Sequence, residues 1–156
     1  LYAPWTGPKR SLVTREAFRK DLGRNLEALR AHGVDPAGVR VWVPPYEWWT
    51  AEIAAWSREL GLGLWGFTPG ARTAADYTEE GTAGFVPSGA ILESVLARER
   101  EEARGLNGFV LLMHLGAGPK RTDKLHEKLP SLLDALGAKG YSFVRLDELA
   151  RGCASP

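Results

Sequence analysis

An α/β fold, a parallel sheet with crossover helices, is predicted by three observations. Segments of helical apolar period alternate with short β-type runs, turn residues separate them, and the run 108–116 stays apolar until it reaches His114. A run of that kind suits a strand buried on both faces, as parallel sheets bury theirs. At 156 residues the chain matches a single domain and can bury a hydrophobic core without disulfide or metal support.

Each element follows from local chemistry. Over 14–32, Ala17, Phe18, Leu22, Leu26 and Leu29 repeat at helical spacing, with Thr14 as the N-cap and Gly33 beyond the end. The residues before it, Trp5 included, enter no clear element. A turn at Asp35 and Pro36 leads into a strand over 39–43, which Pro44 and Pro45 stop because proline cannot donate to a ladder. Tyr46 opens a loop. A second helix is expected over 51–60, with Trp48 and Trp49 at its start and at least one of them in the core. A strand over 63–67 precedes an irregular segment, 68–87, of a length more often functional than incidental. Ser88 is expected to cap a third helix running to Arg104, and the strand ending at His114 follows. Thr122 then caps a fourth helix to about Lys139, and 142–146 is the last strand before a short helical tail. Four strands are too few to close a barrel and would form an open arc with exposed edges. Together with the abrupt start at Leu1, this gives the expectation of a portion of a larger domain.

Composition excludes several classes of function. With 20 basic and 19 acidic residues the net charge is +1, so no field draws in nucleic acid or an anionic membrane. Cys153 is the only cysteine, which rules out an intrachain disulfide and a CxxC metal site. No apolar run approaches the roughly 20 residues of a membrane-spanning helix. Residues 1–10 lack the charged start and apolar stretch of a secretory signal.

Open sheets and barrels place their chemistry at the C-terminal ends of strands, which is where His114 stands. A histidine there also serves as an ordinary core or rim residue. Three loops follow strand ends and are expected on one side of the sheet: 44–46, 68–77 and 114–121. Tyr46, Glu47, Trp48 and Trp49 offer flat faces that suit the apolar side of a sugar ring, so a non-catalytic carbohydrate-binding module is an alternative reading. The turn 116–122 sits between strand and helix as a phosphate cradle does. Its glycine spacing is not that of a P-loop, and Pro119 removes one N–H. His32 and His126 are expected at the surface.

Taken in order, these motifs resemble the polysaccharide deacetylases, the NodB-homology domain of family 4 carbohydrate esterases. Leu112-Met113-His114 looks like that family's fifth motif, Leu-x-His, and Gly140-Tyr141-Ser142-Phe143-Val144 looks like its last strand. Val43-Pro44-Pro45-Tyr46 is similar to the third motif, Arg-x-Pro-Tyr, and Ala75-Asp76-Tyr77 to the end of the fourth, Asp-x-x-Asp-Trp. Val43, Thr73 and Tyr77 depart from the family's arginine, first aspartate and tryptophan. The first motif, an aspartate pair, and the second, His-x-x-x-His, do not occur. The resemblance therefore implies a partial (β/α) barrel of about four parallel strands, the C-terminal portion of a deacetylase domain, with 1–156 as one domain.

The resemblance also implies a reaction. A divalent metal, zinc in most such enzymes, polarises an acetamide carbonyl and a water, a base takes the water's proton, and an acid protonates the departing amine. His114 would be that acid and Asp76 the carboxylate that fixes its tautomer. The Tyr46 backbone N–H would help bind the oxyanion, and Arg72 would take over from the third-motif arginine in orienting the base. Tyr46, Trp48 and Tyr77 would touch substrate. The implied partners are an N-acetylated polysaccharide or oligosaccharide and the N-terminal part of the same domain, which would carry the metal ligands; this chain is expected to bind no metal tightly and to be inactive by itself. The family suggests an extracytoplasmic or cell-envelope location.

Overall fold

The computed structural model of the protein describes residues 1–4, 10–114 and 116–153, the last three of these in backbone only. Trp5 and Leu115 lie outside the described residues. The architecture is mixed helix with a small parallel sheet, broadly α/β. Two compact units emerge, one formed by 1–66 with 144–156 and the other by 67–143.

In the first unit, α1 (Arg15–Ala31) starts where Thr14 Oγ1 accepts the Ala17 N–H. It ends at His32, after which Gly33 takes φ +84°, a left-handed angle that glycine adopts without a Cβ penalty. Phe18 and Leu22 bury one face of α1 against Tyr2, Ile53 and Leu62. Phe18 also meets the rings of Tyr2, Trp42 and Trp56 at 5.2, 5.7 and 5.9 Å. Strand β1 (Val41–Trp42) pairs in parallel with β2 (Gly63–Leu64), Val41 opposite Gly63 and Trp42 opposite Leu64. Helix α2 (Ala51–Glu59) makes the crossover, capped by Thr50 Oγ1 on the Ile53 N–H. Trp42 Nε1 donates to Ser57 Oγ at 3.2 Å, fastening sheet to helix.

Both strands are shorter than expected. The Val39 N–H is engaged by Pro36 O in a 3-10 turn capped by Asp35, and Pro44 ends the other side, so the ladder is short, with the Gly63 N–H on Arg40 O and the Trp65 N–H on Trp42 O. Trp48 and Trp49 precede α2 and neither is buried, against the expectation of a core tryptophan there. The expected strand over 142–146 does not form. Phe143 and Val144 are 58% and 56% exposed, and helix α5 (Leu146–Cys153) begins where that strand was to end.

The second unit packs α3 (Ser88–Glu101) and α4 (Leu129–Gly137) around Ala71, Val95, Leu106, Leu132 and Leu136, with Val86, Ile91 and Leu125 in a neighbouring cluster. The cap of α3 is not Ser88's own side chain. Pro87 is the N-cap residue, and Asp123 Oδ2 accepts the Ser88 N–H at 2.5 Å. Nor does Thr122 open an α-helix: a 3-10 turn at Leu125–Lys128 precedes α4. Pro130 explains the break, because its ring clashes with the carbonyl four residues earlier and it has no N–H for the ladder.

The expected strand ending at His114 carries no ladder, and none of residues 109–114 is fully buried. Its amides have side-chain partners. Thr68 Oγ1 accepts the Val110 N–H and Asp76 Oδ2 accepts the His114 N–H, which are groups a neighbouring strand would have needed. Phe109, Leu111 and Met113 still alternate toward the core clusters, a period of two on one face. Two of the four expected strands are thus present among the described residues, and no helix there is long and apolar enough to cross a membrane.

Candidate functional site

Asp76 and His114 meet within the second unit. Asp76 ends a 3-10 turn, Thr73–Ala75, whose geometry places its N–H on Thr73 O and leaves both carboxylate oxygens free to turn inward. Oδ1 lies 2.6 Å from His114 Nδ1, and Oδ2 accepts the His114 backbone N–H, also at 2.6 Å. The carboxylate is 1% exposed while the imidazole is 39% exposed. One residue therefore holds the other at two points, and Nε2 has no hydrogen-bond partner among the described residues.

That arrangement fixes the chemistry of the ring. Because a carboxylate oxygen accepts, the contact matches an Nδ1–H tautomer, in which Nε2 is the nitrogen that can exchange a proton. Tyr77 flanks the imidazole edge-on, ring centres 5.3 Å apart, and is 56% exposed. The pair has the form of a general acid or base with its orienting carboxylate.

The remaining predicted residues are placed as follows. Arg72 is exposed, and its side chain makes no hydrogen bond or ion pair among the described residues. Its backbone is left-handed at φ +56°. In the first unit Tyr46 and Glu47 are left-handed too, at φ +60° and +55°, in the turn after Pro44 and Pro45. These three are the only non-glycine residues with positive φ among those described, a conformation costing about 1–3 kcal/mol and common at functional sites. Tyr46 is 65% exposed and its ring lies tilted against Trp48, centres 5.8 Å apart, with Trp49 46% exposed beside them in sequence.

The turn 116–122 is not an open anion cradle. Glu80 Oε1 accepts from the Thr122 N–H, the Thr122 hydroxyl and the Asp123 N–H at 2.7–2.9 Å, supplying the anion from within the chain. Those bonds, the Asp123 N–H foremost and the Thr122 hydroxyl next, hold the Glu80 carboxyl below its ordinary range. The Lys124 ammonium meanwhile donates to Ala117 O and Gly118 O.

Sequence reasoning missed Glu80 and Arg121 in this region. Arg121 is fully buried and uses its guanidinium to tie together the loop that bears Asp76, the start of α3 and its own turn. A basic residue in a Gly-Pro-Lys-Arg turn carries no sign of burial, so no sequence signal marks it. Among the described residues no three His, Cys, Asp or Glu side chains gather where they could hold a metal ion, so those residues do not fit one. An open cavity of about 870 Å³, lined by Glu99, Asn107, Lys139 and Tyr141 among others, contains none of the predicted site residues. No protein-family model matches the chain, and neither a curated protein nor a solved structure matches it.

Proposed function

We propose that this chain is the acid-bearing portion of a polysaccharide deacetylase domain, acting in the hydrolysis of acetamide groups on N-acetylated sugars. The observation that carries the reading is the two-point hold of buried Asp76 on His114 Nδ1 and N–H, which leaves Nε2 to exchange a proton. When water has added to the acetamide carbon, the C–N bond breaks only as the nitrogen gains a proton. Nε2–H gives that proton to the departing amine, and the Asp76 carboxylate stabilises the ring's charge beforehand. Acetate and the free amine are the products.

On this reading the β1–α2–β2 unit is part of a partial barrel of the deacetylase type. Tyr77 would lie against the sugar beside His114. Arg72, held left-handed in the Asp76 loop, would orient the base. No step is routed through a metal, because the described residues do not assemble a site for one; its ligands and the base would come from residues outside these 156.

The test is the sequence encoded immediately upstream of Leu1, followed by assay of the extended protein. The expected result is His-x-x-x-His with an aspartate pair further back, and acetate release from N-acetylglucosamine oligomers that His114→Ala abolishes. Upstream sequence with neither motif overturns the reading. Acetate release that survives His114→Ala overturns the role of His114. The exposed Tyr46 and Trp49 and the tilted Tyr46–Trp48 ring pair favour a second reading, a carbohydrate-binding module. Oligosaccharide binding by this chain that persists in His114→Ala supports that one instead.

A further inference from the structure

We propose that an Arg121–Thr78 clasp is the positioning device that sets Asp76 against His114. Arg121 is a positioning residue, acting on the pair through the backbone of the Asp76 loop. That the pair is a general acid rests on the deacetylase reading above; that the clasp positions it rests on geometry alone.

A guanidinium has five N–H groups in a fixed fork, and here every one is engaged. Nε donates to Asp123 O at 2.8 Å, Nη1 to Thr78 O and Thr78 Oγ1 at 2.9 and 3.3 Å, and Nη2 to Val86 O and Ser88 Oγ at 2.9 and 3.0 Å. The side chain is 0% exposed, and Phe85 covers it with ring centre 5.0 Å from Cζ. Asp123 Oδ2 pairs with it only at the long limit, 3.9 Å from Nη2, so its near partners are carbonyl and hydroxyl oxygens. Burying a cation with carbonyl partners is costly unless all its donors are met. Such a residue specifies geometry more than it adds stability.

The geometry it specifies is that of the pair. Arg121 stands on the loop that leaves His114, and Thr78 stands just past Asp76. Thr78 passes the constraint on, since its hydroxyl donates to Ala75 O at 2.6 Å and its N–H bonds the same carbonyl at 3.1 Å, closing the 75–78 turn that contains Asp76. Each loop contributes one member of the pair, and Arg121 joins the loops. A lysine cannot replace it, because an ammonium offers three donors from a point and these acceptors lie around a plane.

The test reads the ring directly and needs no substrate. The two imidazole ¹⁵N shifts of His114, in the labelled full chain at alkaline pH, report which nitrogen holds the proton. Wild type is expected to show a single Nδ1–H tautomer. Arg121→Lys and Thr78→Val are each expected to lose it, the two shifts collapsing toward a mixture, in chains whose circular dichroism stays that of the folded protein. A drop in thermal midpoint with unchanged ring shifts overturns the proposal, because a merely structural arginine would do that. If Arg121→Lys does not fold, Thr78→Val decides, as it removes one acceptor of the clasp and the hydroxyl that closes the Asp76 turn while leaving the buried cation in place. A wild-type chain that already shows a tautomer mixture overturns the Asp76–His114 pair and the acid reading with it. A failed clasp beside an intact wild-type tautomer leaves that reading standing.

Discussion

Glu80 and Asp76 are carboxylates in one segment, yet their surroundings give them different work. Asp76 is buried with both oxygens on His114, whereas Glu80 is exposed and gathers three donors from Thr122 and Asp123. Because those donors lower the Glu80 pKa in the folded chain, its contribution to stability is fully present above the ordinary glutamate value of about 4.3. It is lost as pH falls through the lowered folded value. Glu80→Gln is therefore expected to unfold at a lower temperature than wild type at neutral pH, and the two midpoints should converge as the solution is acidified. Thermal melts by circular dichroism at a series of pH values check this; parallel curves down to the acid limb would show that Glu80 does not titrate against folding. At this scale His114 stood out as an imidazole ending an apolar run, whereas Asp76 came forward only through the resemblance of Ala75-Asp76-Tyr77 to a deacetylase motif. Glu80 and Arg121 were not legible, since their roles arise from partners roughly 40 residues away that no local pattern announces.

Helices announced themselves and strands did not, for a reason that lies in where the information sits. Helix α1 was legible nearly to the residue: Thr14, the leucine spacing and Gly33 are all local signals. Strand pairing depends on what lies alongside, and at Val110 and His114 the amides bond to Thr68 Oγ1 and Asp76 Oδ2 rather than to a neighbouring strand. The cap of α3 makes the same point. Ser88 stands where a helix begins, and the expectation that its hydroxyl would cap the helix is physically sound. The structure instead turns that hydroxyl toward Asp123 O and caps the helix with the Asp123 carboxylate, 35 residues distant in sequence. Asp123→Ala is accordingly expected to cost about 0.5–2 kcal/mol, the range for losing an N-cap. Urea unfolding with an unchanged m-value would measure it, and hydrogen exchange should quicken in the first turn of α3 before α1. An Asp123→Ala chain as stable as wild type would mean that the α3 terminus has another acceptor.

At the scale of the whole molecule the sequence conveyed the α/β class and the order of helices, while the extent of the sheet was set by side chains competing for backbone amides. The proposed function accounts for one half of a reaction, the proton donor. The chain's histidines are His32, His114 and His126, and the structure gives them no common site: His32 is the C-cap of α1, His114 is committed to Asp76 through Nδ1, and His126 lies in the 3-10 turn before α4. Tight zinc sites use three or four ligands, and among the described residues no three candidate ligands converge. Zinc at 100 times its dissociation constant would stabilise the fold by about 2.7 kcal/mol. In a chain of this size that corresponds to a rise in midpoint of about 2–4 °C for each kcal/mol. Such a rise could not be overlooked, so micromolar zinc is expected to leave the thermal midpoint unmoved and to give no saturable heat in calorimetry. Stoichiometric submicromolar binding lost in His114→Ala would place the metal on the imidazole itself. His114 would then be a ligand and not an acid, and Asp76 would orient it toward a metal by the same two hydrogen bonds.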